Sequence, residues 1–181
     1  DASTRHELAD VSDEWLTMQR TREMRFSLGR FDPDYLAESA MVISRDGAGR
    51  ITAFANANRA SAASLIGLDL MRRRRQVEPG TMDTLMVALI EWARGEGLAE
   101  VSLGLSPLAG VGGGPDAPVA ERGLGFVYRR LDHYYNFRGL HDFKSKFQPR
   151  WYERFLAHPG GASLPGVATA MLSATLADRV W

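Results

Sequence analysis

The chain contains 181 residues, of which 45% are hydrophobic and 24% charged, a composition typical of one folded domain and unlike that of collagen-like or largely disordered chains. Its 22 lysines and arginines balance its 22 aspartates and glutamates, so the formal net charge is zero. Without an overall basic field, any affinity for phosphate-rich partners must come from local clusters of cations.

A helix and an antiparallel hairpin are the first elements that the pattern predicts. Asp10 and Ser12 are candidate caps for a short helix over residues 13–18, because their side-chain oxygens can accept hydrogen bonds from the first turn. Apolar runs at 41–44 and 51–55 flank a loop that holds two glycines, a pattern typical of a β-hairpin.

The next elements predict a parallel pair of strands. Residues 64–71 form one apolar run, and residues 100–105 form another. Between them, apolar side chains recur at helical spacing from Met82, with Thr81 as a candidate cap and Gly95 as a stop. The order strand, helix, strand implies a crossover between parallel strands and therefore an α/β fold.

Patterns in the second half of the chain complete the predicted fold. Phe143 and Phe147 lie four residues apart and predict a short helix that ends before Pro149. The other patterns predict, in chain order, a glycine-rich loop at 110–115, a helix at 118–131, an extended aromatic segment at 134–137, a final strand at 151–156 and a tail helix at 164–180. We expect a mixed central sheet flanked by helices.

Two groups of residues are candidates for chemistry or binding. Asp69 and Arg72 lie at the end of the third predicted strand, where α/β sheets often carry functional side chains. An ion pair between these two residues, which would stabilise the strand end, is the structural alternative.

Cations and aromatic side chains alternate between residues 129 and 154. Arginine forks and lysine ammonium groups bind phosphate, and neighbouring rings can order the loops that present them or stack on bases. The stretch therefore indicates contact with phosphate or nucleic acid, although a solvated basic face over an aromatic cluster gives the same pattern. The candidate binding residues are Arg129, Arg138, Lys144, Lys146 and Arg154.

The sequence also excludes several chemistries. With no cysteine, the chain has no disulfide, no thiolate nucleophile and no cysteine-based metal site, and its four histidines lack the spacing of a ligand pair. The glycine run at 110–114 lacks the spacing of a phosphate-binding loop, and no nucleophile elbow is present. We therefore predict no metal and no cofactor. The longest apolar stretches fall short of the roughly 20 residues that span a bilayer.

Eight short motifs occur in order along the chain: SDEWL at 12–16, FSLGRFD at 26–32, FAN at 54–56, DLMR at 69–72, GTMD at 80–83, YNFRGL at 135–140, KSKFQPRW at 144–151 and RFLA at 154–157. Their ordered combination resembles the C-terminal cytosolic domain of the bacterial aminoacyl-phosphatidylglycerol synthases. Lysyl- and alanyl-phosphatidylglycerol synthases are the best-known members of that family.

The resemblance implies an acyltransferase fold of the GNAT type, which the family uses as two paired units. This chain would cover the second unit, with residues 1–35 as a helix and linker segment and residues 36–181 as the acyltransferase domain. It also implies transfer of an aminoacyl group from aminoacyl-tRNA to phosphatidylglycerol, at the cytosolic face of the bacterial inner membrane. A membrane domain and the sister unit would precede it, so we expect the chain to be part of a longer protein.

Residue roles follow from the same motifs. Asp69 would hold the α-ammonium of the donor or assist the acceptor hydroxyl. Arg72, Lys144 and Lys146 would hold the lipid phosphate or the terminal tRNA phosphate, and Arg154 would brace the site. Many relatives carry an acidic residue where this chain has Arg129. If that acid recognises a cationic amino acid, its replacement favours an alanyl or another neutral donor over a lysyl donor; the alternative is a diverged substrate.

Two other functions fit parts of the pattern. A CoA-dependent N-acyltransferase would share the fold type, but the sequence lacks the Gln/Arg-x-x-Gly-x-Gly/Ala loop that binds the pyrophosphate of CoA. Alternatively, the cationic stretch between residues 129 and 154 would make the chain a non-catalytic module that docks tRNA or anionic lipid.

Overall fold

The computed structural model describes residues 2–19, 23, 29–59, 64–106, 137–155, 157, 160, 166–167 and 170. Their helices are α1 (Ala2–Gln19), α2 (Pro33–Ala37), α3 (Thr81–Gly95) and α4 (Phe137–Ser145). Their strands are β1 (Ala40–Arg45), β2 (Ile51–Arg59), β3 (Leu65–Arg73) and β4 (Glu100–Ser102). The chain divides into a first unit, Asp1–Ser102 with Ala168–Trp181, and a second unit, Leu103–Val167.

The first unit is built on a sheet with the strand order β1-β2-β3-β4. Antiparallel pairing joins β1 to β2 and β2 to β3, whereas β3 and β4 are parallel and connected through α3. The predicted hairpin, third strand, central helix and parallel crossover are therefore confirmed, and with them the α/β class with a mixed sheet. Strand β4 ends at Ser102, three residues earlier than predicted.

Side chains of strand β2 are buried on both faces of the sheet. Phe54 is fully buried in a cluster with Leu8 and Val11 of α1 and with Leu70 of β3. Side chains alternate along a strand, so the buried alanines of β2 face the opposite side, where α3 packs against β1 and β2. Small side chains there let the helix approach closely, and its buried residues are Leu85, Met86, Leu89 and Ala93.

A β-bulge in β3 interrupts this alternation. Ala55 pairs with Met71 and Ala57 pairs with Leu68, so two residues of β3, Asp69 and Leu70, stand opposite the single residue Asn56 of β2. The buried Asn56 side chain accepts the Leu70 N–H at 2.9 Å, which compensates for the interrupted ladder. The extra residue turns Asp69 onto the face that carries α1 and α2.

The helix starts differ from those predicted. Helix α1 already begins at Ala2, so Asp10 and Ser12 lie within it and are not caps. Gly80, with φ of 85°, is the N-cap of α3, and Thr81 is its first helical residue. Both predictions followed local capping chemistry, whereas the α1 start reflects packing of Leu8 and Val11 on the sheet.

The second unit contains α4, and the predicted short helix before Pro149 is confirmed. The rings of Phe143 and Phe147 meet edge to face, with centroids 5.4 Å apart. Phe137 begins this helix, so its predicted extended conformation is wrong. Residues 151–155 are exposed and irregular, and none of them belongs to a strand. The strand predicted there is therefore wrong over these residues.

The glycine-rich loop at 110–115, the helix at 118–131, residues 134–136 and most of the tail helix at 164–180 lie outside the described residues. Within the part of the chain that is described, no helix combines the length and the apolar character that a membrane span needs.

Candidate active site

The carboxylate of Asp69 is held by two hydrogen-bond donors. Its Oδ1 accepts the Gly29 N–H at 2.8 Å, and its Oδ2 accepts the Tyr35 hydroxyl at 2.6 Å. A Cβ atom at position 29 would collide with the carboxylate, so this close approach of the backbone requires glycine. The bulge in β3 and the glycine together give Asp69 a defined orientation at the end of the strand.

Tyr35 connects Asp69 to the neighbouring strand. Its hydroxyl accepts a hydrogen bond from Asn58 Nδ2 at 2.6 Å while donating to Asp69. Burial and the hydrogen bond to Asp69 raise the pKa of Tyr35 to about 12, so the phenol stays protonated at neutral pH. The residue is nevertheless 40% exposed, which places this network where a substrate can reach it.

Helix α2 positions the Tyr35 ring. Its N-cap is Asp32, whose Oδ1 accepts the N–H groups of Asp34 and Tyr35 at 3.1 and 3.3 Å. These two backbone hydrogen bonds lower the pKa of Asp32 and keep the cap ionised. Pro33 occupies the first helical position, where its fixed φ suits the turn.

Arg72 is buried on the same face as Asp69 but has different partners. Its side chain is 4% exposed, and its guanidinium forms two hydrogen bonds with the Glu23 carboxylate, at 2.5 and 2.7 Å. It also donates to Ser12 Oγ and lies over the Trp15 ring, 5.3 Å from the centroid. Arg72 thus pairs with Glu23 and not with Asp69, and it fastens α1 and residue 23 to β3.

Lys144 occupies a desolvated position in the second unit. It is 4% exposed, and its Nζ donates to the Leu105 carbonyl oxygen at 2.9 Å. Burial lowers the pKa of Lys144 to about 8. No ion pair within the described ranges includes this lysine. A buried ammonium group whose charge is not balanced by a carboxylate in the described ranges is suited to binding an anion.

Two buried polar atoms without a hydrogen-bond partner lie near Lys144 in the chain. Ser106 directly follows Leu105, whose carbonyl oxygen accepts the Lys144 hydrogen bond, and the Ser106 Oγ has no hydrogen-bond partner. His141 precedes Lys144 by three residues in α4. Its ring stacks on that of Trp151, with centroids 4.5 Å apart, but its Nδ1 has no hydrogen-bond partner. Unpaired buried polar atoms are costly, so they mark a place where a ligand can contribute partners.

The structure describes the other predicted binding residues only in part. The Lys146 ammonium is exposed and lies 5.4 Å from the centroid of the Phe143 ring, and Arg154 is exposed. Arg138 belongs to α4, but its side chain lies outside the described atoms, and Arg129 lies outside the described residues altogether. Asp69 and Arg72 belong to the first unit, and Lys144, Lys146, Arg138 and Arg154 to the second.

Sequence reasoning missed Gly29, Tyr35 and Asn58 as members of the Asp69 network. Gly29 lies within one of the recognised motifs, but no periodicity or spacing connects it with a residue 40 positions away. It missed Glu23 for the same reason, because its pairing with Arg72 spans 49 positions.

The structure shares its fold with two solved relatives. The L-PGS of Bacillus licheniformis superimposes with a TM-score of 0.78 and 31% identity, covering 99% of this chain and 53% of that chain. A C-terminal domain from Agrobacterium fabrum, named for lysylphosphatidylglycerol synthetase, gives a TM-score of 0.77 and 34% identity over 96% of this chain and 51% of that one. The chain is thus an α/β protein of the class these domains represent.

Residues 1–158 match the family described as phosphatidylglycerol lysyltransferase, C-terminal, and the chain belongs to this family. The phosphatidylglycerol lysyltransferase of Bacillus subtilis is 37% identical over 158 residues, and that of Staphylococcus xylosus is 30% identical. These alignments cover 87% of this chain but only 18% of each relative. Family membership confirms the resemblance seen in the motifs.

Proposed function

We propose that the chain is the catalytic C-terminal part of an enzyme that transfers an aminoacyl group from aminoacyl-tRNA to phosphatidylglycerol. The observation that carries the proposal is an oriented, half-buried Asp69 carboxylate in a chain that matches the lysyltransferase family over residues 1–158. The curated relatives are named phosphatidylglycerol lysyltransferases, which supports a transfer to phosphatidylglycerol. The full-length protein would add an upstream membrane domain and a sister unit, with the acyltransferase domain over residues 36–181.

The reaction exchanges one ester for another. The glycerol hydroxyl oxygen of the lipid attacks the acyl carbon, the bond from that carbon to the tRNA ribose oxygen breaks, and a proton passes from the glycerol hydroxyl to the ribose oxygen. Since the donor ester is already activated, the protein has to align the two substrates and stabilise the developing oxyanion. No oxidant and no covalent enzyme intermediate are required.

Asp69 is suited to holding the α-ammonium of the donor. A carboxylate forms its strongest hydrogen bonds with charged donors, and each of its oxygens retains a lone pair beside the bonds from Gly29 and Tyr35. Because these two donors fix the carboxylate plane, the ammonium group would be bound in one orientation. The adjacent acyl carbon would then be presented to the acceptor hydroxyl in a reproducible position.

The cations divide into phosphate ligands and a brace. Lys144 would bind a lipid or tRNA phosphate, whose charge would offset the cost of its buried ammonium. Arg72 would act by position, since Glu23 and Ser12 engage its guanidinium and little of it is exposed. The other cations proposed to add phosphate contacts are Arg129, Arg138, Lys146 and Arg154.

The test uses the full-length protein with phosphatidylglycerol vesicles and radiolabelled lysyl- or alanyl-tRNA, followed by mass analysis of the lipids. We expect a new aminoacylated lipid, formed faster with a neutral donor than with lysine, because the resemblance places an acidic residue of many relatives at the position of Arg129. Asp69→Asn should lower the rate about 100-fold or more. Asp13→Asn, an isosteric change at an exposed position of α1, is the matched control and should retain the wild-type rate.

Three results would count against the proposal. They are absence of any aminoacylated lipid with all donors tested, full activity of Asp69→Asn, and micromolar binding of acetyl-CoA measured by calorimetry. The last of these would favour a CoA-dependent N-acyltransferase. Retained binding of tRNA or vesicles without any transfer would favour a docking module.

A further inference from the structure

We propose that Tyr35 and Asn58 are positioning residues of the transfer reaction, which act by fixing the Asp69 carboxylate through a directed chain of hydrogen bonds. This inference rests on the function proposed above and deepens it. The chain runs from Asn58 Nδ2 to Tyr35 Oη at 2.6 Å and from Tyr35 Oη to Asp69 Oδ2 at 2.6 Å.

The direction of this chain follows from the number of protons available. A phenol carries a single proton, and the carboxylate can only accept, so the Tyr35 hydroxyl donates to Asp69. The same hydroxyl must then accept from its second neighbour, and the amide nitrogen of Asn58 is a donor. Asn58 therefore orients Tyr35, and Tyr35 orients Asp69.

The side chains of Tyr35, Asn58 and Asp69 come from three separate elements and meet on one face of the sheet. Tyr35 lies in the capped helix α2, Asn58 lies in β2, and Asp69 lies in the bulge of β3. Gly29 supplies the second donor to Asp69 from the segment before α2. With one donor on each oxygen, rotation of the carboxylate about its Cβ–Cγ bond would break both hydrogen bonds.

Loss of one donor should therefore affect the orientation of Asp69 more than the fold. Among the described residues, the Tyr35 hydroxyl bonds only to Asn58 and Asp69, and Tyr35 is 40% exposed. Replacement of Tyr35 by Phe keeps the ring and removes both hydrogen bonds. A carboxylate released to rotate would hold the donor in several orientations, only some of which align the ester with the acceptor hydroxyl.

The test measures kcat and KM for aminoacyl-tRNA in the full-length enzyme. Tyr35→Phe should lower kcat roughly 10- to 100-fold and change KM by less than about threefold, because phosphate contacts dominate tRNA binding. Asn58→Ala should lower kcat about threefold, since Tyr35 can still donate to Asp69. Tyr152→Phe removes the hydroxyl of another exposed tyrosine, outside this network, and should leave both constants unchanged.

A double-variant comparison separates positioning from a general structural role. If Tyr35 acts only through Asp69, then Tyr35→Phe should change kcat less than about twofold in a protein that already carries Asp69→Asn. Full additivity of the two substitutions would overturn the inference, as would a wild-type kcat for Tyr35→Phe. In both cases the proposed function stands if the wild-type enzyme forms the lipid, whereas failure of the wild type itself would refute the proposed function and this inference with it.

Discussion

Arg72 and Glu23 form a two-pronged ion pair between strand β3 and a residue 49 positions earlier in the chain. The Arg72 side chain is only 4% exposed, so removing Glu23 would leave a buried guanidinium without its carboxylate partner, which is strongly destabilising. Arg72 additionally connects to Ser12 and Trp15 of α1. Arg72 therefore connects both Glu23 and α1 to β3, the strand that carries Asp69.

Arg72→Lys should lower the free energy of unfolding by about 1 to 3 kcal/mol, because lysine keeps the charge but cannot form the two parallel hydrogen bonds. Urea denaturation of the purified chain measures the change. Glu23→Gln should destabilise the chain as well, and the double variant Arg72→Met, Glu23→Gln should cost less than the sum of its single substitutions. Unchanged stability of Arg72→Lys together with lost transfer would instead assign Arg72 to the substrate.

Gly29→Ala should abolish transfer while leaving the fold largely intact. The added Cβ would occupy the space of the Asp69 carboxylate, and a short side chain can rotate away more cheaply than the backbone can move. We expect at least a 100-fold lower kcat and a change in unfolding free energy of about 1 kcal/mol. Gly47→Ala is the matched control, since nothing lies within 4 Å of its Cβ position. Equal activity of the two variants would contradict the assigned role of Gly29.

Lys144→Met should stabilise the chain at pH 7 by about 1 to 3 kcal/mol, because it removes a buried charge. Burial lowers the pKa of Lys144 from 10.5 to about 8. Between these values the unfolded chain holds a proton that the folded chain has released, so the free energy of unfolding should rise with pH from about 8 to about 10.5. In Lys144→Met that rise should disappear.

Urea denaturation at several pH values measures this effect, with the exposed Lys146→Met as the control. Transfer activity should fall in Lys144→Met although its stability increases, because we propose that the buried ammonium binds a substrate phosphate. A lower stability of Lys144→Met at pH 7 would show that the buried ammonium has stabilising contacts beyond its hydrogen bond to Leu105.

The sheet was predictable because its signals are local. Apolar runs on either side of two glycines predicted the hairpin of β1 and β2, and helical spacing from Met82 predicted α3 and hence the parallel crossover. The extension of α1 to Ala2 was not predictable, since it depends on packing against the sheet. Residues 151–155 have strand-like side chains but lie exposed, so propensity alone misled there.

The candidate site was predictable only in part. Asp69 stood out as a carboxylate at a strand end, and Lys144 as a cation within a recognised motif. In a regular strand, however, Asp69 and Arg72 would point to opposite faces. The bulge at Asp69 and Leu70 brings the side chains of Asp69 and Arg72 to the same face. It is visible as a register shift between β2 and β3, which a single-strand pattern does not reveal. Hydrogen bonds from Gly29 and Tyr35 likewise join distant parts of the chain.

The titration of Tyr35 provides a measure of the Asp69 network that does not depend on activity. Burial and, second, the hydrogen bond to Asp69 raise the pKa of Tyr35 from 10.0 to about 12. Its contribution to folding is therefore complete below pH 10 and is lost as the pH rises through about 12. Asp69→Asn should lower the pKa of Tyr35 without restoring the ordinary value, because burial remains. Carbon NMR of tyrosine labelled at Cζ, assigned with Tyr35→Phe, follows this titration, and an unchanged pKa in Asp69→Asn would mean that the two side chains are not bonded in solution.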